Sequence, residues 1–549
     1  MLDRLKRHEG LLVGVGSLLW FLVQTPWGRF PDPDAFYHAH LANLMLDRGA
    51  LHAFPWLDMT SLGSNFADHH YLYHLILGPA IAAFDLARVP FAEMWATELM
   101  APLLATVTAV ALWTVLRAMH VKSAWVWVLL ALLIPGFSFR LLLAKASPLA
   151  IGAFVAVMGA VALRRPMTAF FAGAIFALAH GGWIIALAVA LAMVLGDMLA
   201  RRLIEDDAWE TAIRDAPWQA FRALLAGVAL GLVIHPNRLE LVQFLWVQTF
   251  KAGLVPSSAV IQGNEWLPAV PGVLVGELAP LMIAFLLGIL GMLVARKGTG
   301  SRELGTVSET GSPSPAPGSR FPVPGSLLDR MRLSIMLALP VAMTVVLTLK
   351  SRRFVEYLVP ALTLWIASLW QFVDVERLKT ELTVMRRDLA PLARRIIVPF
   401  LVVLALALAA HHALLTWTQL HRPASNTFDA YRATFDAIRV RATAGDRVFH
   451  SDWDEFPILF AADDRLRYVS GLDPTFLHEA SSTLSDQVRD LTIGRTTSTA
   501  WDVIVGRTRS RFIFVTTKRH PNFDATVRSD GRFKELARDE TTAAYEVVP

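Results

Sequence analysis

The strongest constraint on this chain is a succession of apolar blocks, each about 17–22 residues long, that fills most of the first 415 positions. Wound as helix, a block of that length crosses roughly 30 Å of hydrocarbon and satisfies its own backbone hydrogen bonds on the way. Composition agrees, since 54% of the 549 residues are hydrophobic and only 18% are charged, with a mean hydropathy of +0.46. A string of soluble domains or a secreted globular enzyme is excluded, and the fold class is an α-helical polytopic membrane protein. The chain has no cysteine, which removes disulfides, thiolate metal sites and cysteine nucleophiles. Its net charge of +5 comes from Lys and Arg at the ends of apolar runs and calls for no nucleic acid.

Those basic residues set an expected topology. The first run, from Leu11 to Gln24, follows Arg4, Lys6 and Arg7, so the N-terminus is placed in the cytoplasm. With no small-residue cleavage site, the run reads as a retained anchor. Arg117 with Lys122, Arg164 with Arg165, Arg201 with Arg202, Arg296 with Lys297, and the segment from Arg377 to Arg395 should all be cytoplasmic. Spans near 97–117, 123–138, 147–163, 167–180, 183–199, 218–234, 275–295, 332–349, 354–373 and 396–413 satisfy every placement and, with the first run, make about 11 transmembrane helices. Residues 71–84 are also apolar, but counting them as a span would invert the later loops, so an interfacial helix is expected there.

An odd number of crossings divides the chain into a transmembrane part, 1–415, and an extracytoplasmic domain, 416–549. Polar loops 27–95 and 235–274 fall on the same outer face, whereas 298–326, rich in Gly, Ser, Pro and Thr, reads as a disordered cytoplasmic loop. In the C-terminal domain, β-like runs at 447–450, 467–469 and 511–515 alternate with helix-like segments near 456–462, 482–493, 498–505 and 531–538. That alternation predicts an α/β domain. The expected location is the inner (plasma) membrane of a bacterium, in contact with membrane lipids.

The residues that topology does not explain lie on the outer face. Loop 27–95 gathers Asp32, Asp34, His38, His40, His52, Asp58, Asp68, His69, His70 and His74. Carboxylates and imidazoles ligate divalent cations or act as general bases, though an ordinary interfacial loop has the same composition. Lys350, Arg352 and Arg353 put three cations on the outer side, against the positive-inside bias, and Arg forks bind phosphate. A lipid phosphate or pyrophosphate is the counter-anion this suggests; snorkelling to headgroups is the plainer alternative. Glu265 stands beside Trp266 in the second outer loop, and His180, in the turn Ala179-His-Gly-Gly-Trp183, reads as a structural residue.

In order along the chain, several stretches resemble the catalytic subunit of oligosaccharyltransferase, the STT3-like branch of the GT-C membrane glycosyltransferases. Asp34-Ala-Phe-Tyr-His-Ala-His-Leu-Ala-Asn-Leu-Met-Leu-Asp-Arg-Gly49 is similar to that family's first-loop pattern, and Phe54-Pro-Trp-Leu-Asp58 to its aromatic-rich stretch. Pro135-Gly-Phe-Ser-Phe-Arg140 resembles the end of its third helix. Arg353-Phe with Glu356-Tyr-Leu-Val-Pro360 resembles the segment that grips the lipid pyrophosphate, and Asp452-Trp-Asp-Glu-Phe-Pro457 echoes the acceptor motif.

The resemblance implies a glycosyltransferase that takes a polyprenyl-linked sugar donor and an extracytoplasmic protein or glycan acceptor. Asp34 and Glu265 would be catalytic, Arg352, Arg353 and Lys350 would hold the donor phosphate, and Trp453 and Asp454 would meet the acceptor. It also implies a divalent metal, Mg or Mn. Yet Ser147 and Leu149 stand where the family's second acidic motif would supply ligands, and the acceptor motif lacks its first Trp and its Tyr-Gly ending. Either the metal site is rebuilt from Asp34, Asp68, His69 and His70, with Glu265 as a further ligand, or Asp34 works without metal as a general base. Two other classes remain: a non-catalytic scaffold of the same architecture, and a lipid or glycolipid transporter, against which the scarcity of mid-helix ionisable residues argues.

Overall fold

The structure is a computed structural model that describes residues 8–254, 257–261, 263–297, 327–373, 380, 383, 391–495 and 500–548. The expected disordered loop 298–326 lies outside the described residues. Up to Leu420 the described chain is almost entirely helical; beyond it a small sheet domain follows.

The helices used below are α1 (Glu9–Gln24), α2 (Asp34–Arg48), α3 (Tyr71–Leu86), α4 (Ala92–Ala118), α5 (Ala124–Leu132), α6 (Pro135–Leu141), α7 (Ser147–Ala162), α8 (Pro166–Ala179), α9 (Trp183–Ala200), α10 (Trp218–Ile234), α11 (Ala279–Lys297), α12 (Leu327–Lys350), α13 (Val355–Leu369) and α14 (Pro391–Leu420). Every span expected from the sequence coincides with one of them or with the bent pair α5 and α6. The count of eleven crossings, however, is larger than helix lengths give. Among the described residues four helices are long and apolar enough to cross a membrane, or up to seven if each bent pair is one span. The reason is geometric: at 1.5 Å per residue, a helix of about 15 residues covers only about 23 Å. What stands is an integral membrane protein built mainly of apolar helices.

Two local breaks position the site. Pro135 interrupts the run after Ile134, and α6 leaves α5 at 86°, as a proline that removes an amide donor and crowds the preceding turn requires. That turn carries Arg140 inward, where it is 6% exposed. Gly49, at φ 70°, ends α2 in a conformation that a side chain would strain.

The helices run in a consistent direction relative to the site. Buried Asp197, near the end of α9, accepts from Arg164 after α7 (3.0 Å), Arg201 (3.2 Å) and Arg332 near the start of α12 (3.0 Å). Ser147, Gly182 and Leu347, near the other ends of these same helices, line one large cleft. Arg164 and Arg201, with Arg332, therefore share the end away from the cleft.

In the C-terminal domain five strands, β3 (Arg447–His450), β4 (Arg467–Tyr468), β5 (Phe512–Thr516), β6 (Phe533–Arg538) and β7 (Thr542–Val547), form a sheet ordered β4-β3-β5-β7-β6. β3 pairs in parallel with β4 and β5, and β7 is antiparallel to both β5 and β6. All residues of β5 are buried, as a central strand covered on both faces demands. Of residues 531–538, expected as helix, Phe533–Arg538 are the strand β6: their Lys, Glu, Leu, Ala and Arg favour helix, but pairing with β7 overrides local preference. The helix Pro521–Ser529 and the strand β7 were not expected.

This domain is seated on the first outer loop. β1 (Arg29–Phe30) pairs antiparallel with β2 (Asn426–Thr427). Phe460 packs 5.6 Å from Phe54 and 5.0 Å from Trp56, centroid to centroid. Asp58 accepts from Arg447 at 2.8 Å and Arg467 at 2.7 Å, and the Trp56 indole N–H donates to the Asp464 carbonyl at 2.5 Å.

Candidate active site

Between the helices, the two outer loops and the C-terminal domain lies a cleft of about 740 Å³. Of the residues singled out in the sequence, it is lined by Asp34, His69, His70, Glu265, Arg352, Arg353, Trp453 and Asp454. Lys350, the exposed last residue of α12, lies off the cleft wall, and Asp68 is buried behind it. Arg140, Lys145, Glu356, Tyr357 and Arg519 line it as well.

The charges on its walls are paired rather than scattered. Glu265 bridges two arginines, accepting from Arg140 at 2.7 Å through Oε2 and from Arg353 at 3.2 Å through Oε1. Arg140 in turn donates from Nε to Glu356 at 2.8 Å. Burial opposes ionisation of Glu265, but Arg353, Arg140 and Lys145 outweigh it and hold its carboxyl well below the usual range. Arg353 also stands 4.3 Å from the Trp266 ring centroid, and the Ser351 hydroxyl and Arg352 amide donate to the carbonyls of Glu265 and Leu267, each at 3.0 Å. The turn after α12 and the second outer loop are thus stitched together, with the arginine forks on the cleft.

Asp34 opens α2. Its Oδ2 accepts from Lys145 Nζ at 2.7 Å, and the same ammonium reaches Asp32 Oδ2 at 2.8 Å. Burial raises Asp34 to about 6; Lys145 pulls it down and Asp32 pushes it up. The side chain keeps 29% exposure, so the carboxylate is reachable from the cleft. Lys145 itself is 12% exposed, and its two carboxylates outweigh burial to keep it charged.

The histidines of the first loop do something other than ligate. Asp68 Oδ2 accepts from His74 Nδ1 at 2.8 Å and its Oδ1 from the His70 amide at 3.1 Å. An ionised carboxylate only accepts, so His74 carries a proton on Nδ1, and its Nε2 shares a 2.8 Å hydrogen bond with His38 Nδ1. The His69 and His70 rings touch with centroids 3.7 Å apart, their planes inclined by 40°. Burial, before the neighbouring His180, lowers His69 to about 3. His180, expected as structural, accepts the Gly182 amide on Nδ1 at 2.8 Å and lines the cleft.

The expected ligand set of Asp34, Asp68, His69 and His70 is therefore not assembled. Among the described residues, no group of three or more His, Asp or Glu is arranged to hold a metal ion. The physical reason is competition: Lys145 engages Asp34, the histidine chain and a backbone amide use both oxygens of Asp68, and two guanidiniums occupy Glu265. The donor set does not fit a divalent cation.

On the domain side, Asp452-Trp-Asp-Glu455 forms one helical turn whose Asp452 and Glu455 make a reciprocal cap. Arg519 donates to Asp454 at 2.9 Å and Asp452 at 2.6 Å. Burial first, then Asp452, raises Asp454 to about 6, and Glu455, buried against Ser451 and Thr516, rises to about 7 for the same reasons. Trp453 packs beside Gly263 of the second outer loop.

Sequence reasoning missed Lys145, Arg519 and the role of Arg140. The first and last carried a readable signal: they fall in the turn between the spans expected at 123–138 and 147–163, which the charge pattern puts on the same side as Arg352 and Arg353, where cations go against the rule.

Solved structures share this fold. An oligosaccharyltransferase from Archaeoglobus fulgidus superposes with a TM-score of 0.60 at 11% identity, covering 99% of this chain and 75% of that one. Another structure of the archaeal enzyme, AglB, holds an inhibitory peptide and a dolichol-phosphate, and a third holds Zn and sulfate. ArnT from Cupriavidus metallidurans bound to undecaprenyl phosphate gives 0.57 at 13% identity, with 97% of each chain covered. The arabinofuranosyltransferase AftD from Mycobacteria gives 0.56 at 15% identity, covering 99% of this chain and 42% of that one. No family model and no curated protein matches the sequence. The fold is that of the GT-C glycosyltransferases. At 11–15% identity the likeness is one of fold.

Proposed function

We propose that the protein is a GT-C glycosyltransferase that moves a sugar or oligosaccharide from a polyprenyl phosphate or pyrophosphate carrier to a protein or glycan acceptor outside the cytoplasm. The observation that supports this most is one cleft, in this fold, holding an accessible carboxylate at Asp34 and an arginine pair at Arg352 and Arg353. Neighbours of the same fold carry dolichol-phosphate and undecaprenyl phosphate.

In the reaction, an acceptor hydroxyl or amide loses its proton to Asp34 as its heteroatom bonds to the anomeric carbon. The bond from that carbon to the phosphate oxygen breaks, and the electron pair leaves on the phosphate. Arg353 and Arg352 stabilise that growing charge. With Asp34 as the base and Asp32 tied beside it to the same ammonium, the displacement is read as single-step and inverting. Glu265 acts on Arg353 and Arg140, which engage its two oxygens. Trp453 and Asp454 form the acceptor side. The cleft faces the extracytoplasmic side of a bacterial inner membrane, with the N-terminus cytoplasmic. No step is routed through a metal, because the donor set does not fit one.

The test is consumption of polyprenyl-linked sugar by membranes containing the wild type or Asp34→Asn. Loss of turnover in the variant is expected. Turnover equal in both would remove the proposed centre and favour a scaffold or transporter.

A further inference from the structure

The ammonium of Lys145 lies between two carboxylates, 2.8 Å from Asp32 and 2.7 Å from Asp34, and is almost closed off from solvent. Charged side chains are rarely held this way on a wet surface, where a lysine keeps its rotamer freedom. Here the turn between α6 and α7 points it into the cleft, and two anions fix it there. The acidic pair at the head of α2 therefore already has a cation, supplied by the chain itself.

The two carboxylates that the sequence offers to complete a divalent site beside Asp34 are committed elsewhere. Glu265 spends one oxygen on Arg140 and the other on Arg353. Asp68 spends its oxygens on His74 and the His70 amide. The residue that opens α7, where a carboxylate would be needed, is Ser147. A metal entering this site would have to displace an ammonium from two carboxylates, and Glu265 or Asp68 would have to give up its own partners to join it.

We infer that Lys145 is the resident cation of the cleft, standing where a divalent ion would otherwise neutralise Asp32 and Asp34, and that the protein binds no divalent metal there. Lys145 is a positioning residue: it holds Asp34 through Oδ2 and balances the acidic pair so that the anionic donor can approach. Its consequence for turnover rests on the glycosyltransferase reading; the metal statement does not.

The experiment separates the two. Purified full-length wild-type protein is titrated with micromolar Mn²⁺ and followed by electron paramagnetic resonance of the free ion. No stoichiometric binding beyond that of Asp34→Asn is expected. One bound Mn²⁺ per chain that Asp34→Asn abolishes would overturn the inference, whether or not the preparation transfers sugar.

In membranes that consume polyprenyl-linked sugar, excess chelator is expected to leave turnover unchanged. Loss on chelation with recovery on Mn²⁺ or Mg²⁺ would overturn the inference as well. Lys145→Met should lower kcat at least tenfold with donor KM changed less than threefold, and Lys145→Arg, which keeps the charge, should recover most of it. Equal losses in Met and Arg variants that fold as wild type would show that the charge is not what matters. Membranes that consume no donor would count against the glycosyltransferase reading alone, and the Mn²⁺ titration would still decide the lysine.

Discussion

Asp34 sets the pH range in which the cleft can work. Burial raises its carboxyl to about 6, so below that pH it is protonated and has no lone pair for an acceptor proton, while above it the base is present. On the glycosyltransferase reading, kcat/KM should climb about tenfold per pH unit up to about 6 and then level, as a pH profile of sugar transfer would show. Asp34→Asn should lower kcat by about 10²- to 10⁴-fold. Arg353→Ala removes a charge-assisted contact to phosphate and should raise donor KM by about ten- to a hundredfold, measured as lipid-donor titration. Such residues were legible as charges that topology did not explain. The loop histidines were not, because the same Asp and His composition serves a ligand shell or a hydrogen-bonded chain. Only the 2.8 Å contacts from Asp68 to His74 and from His74 to His38 decide between them.

Among the elements, α8 and α10 show how the helices pack without a hydrophobic driving force between them. A side chain at Gly227 would meet the Phe170 carbonyl oxygen at 1.9 Å, and one at Gly231 the Ala174 carbonyl at 2.8 Å. Small residues let the two backbones touch, and close packing then supplies the attraction. Gly227→Val should force the pair apart and cost about 1–3 kcal/mol, seen as a lower thermal midpoint in detergent, whereas Gly272→Val, in open space, should change little. The apolar runs announced the long apolar helices of the first 420 residues. The bend at Pro135 and the strand β6 were harder to read: a run that bends still counts as one block, and residues 533–538 take strand form only because β7 lies beside them.

At the scale of the whole molecule, the cleft exists because three separate stretches of chain meet: the head of α2, the turn after α12 and the helical turn at Asp452. Sidedness follows if they share one compartment. The ends of α7, α9 and α12 that carry Arg164, Arg201 and Arg332 are tied together at Asp197, 2% exposed, away from the cleft. Removing that anion would leave three guanidiniums facing one another, so Asp197→Ala should cost about 3–5 kcal/mol and lower folded yield in membranes. Since the chain has no cysteine, single replacements can report the orientation directly. Ser351 in the cleft turn is too buried for this, at 2% exposure, but Arg507 in the sheet domain and Arg214 before α10 are both exposed. A membrane-impermeant maleimide should label Arg507→Cys in intact cells and Arg214→Cys only after permeabilisation. Labelling in the opposite order would put the cleft in the cytoplasm, where an extracytoplasmic acceptor could never reach Asp34.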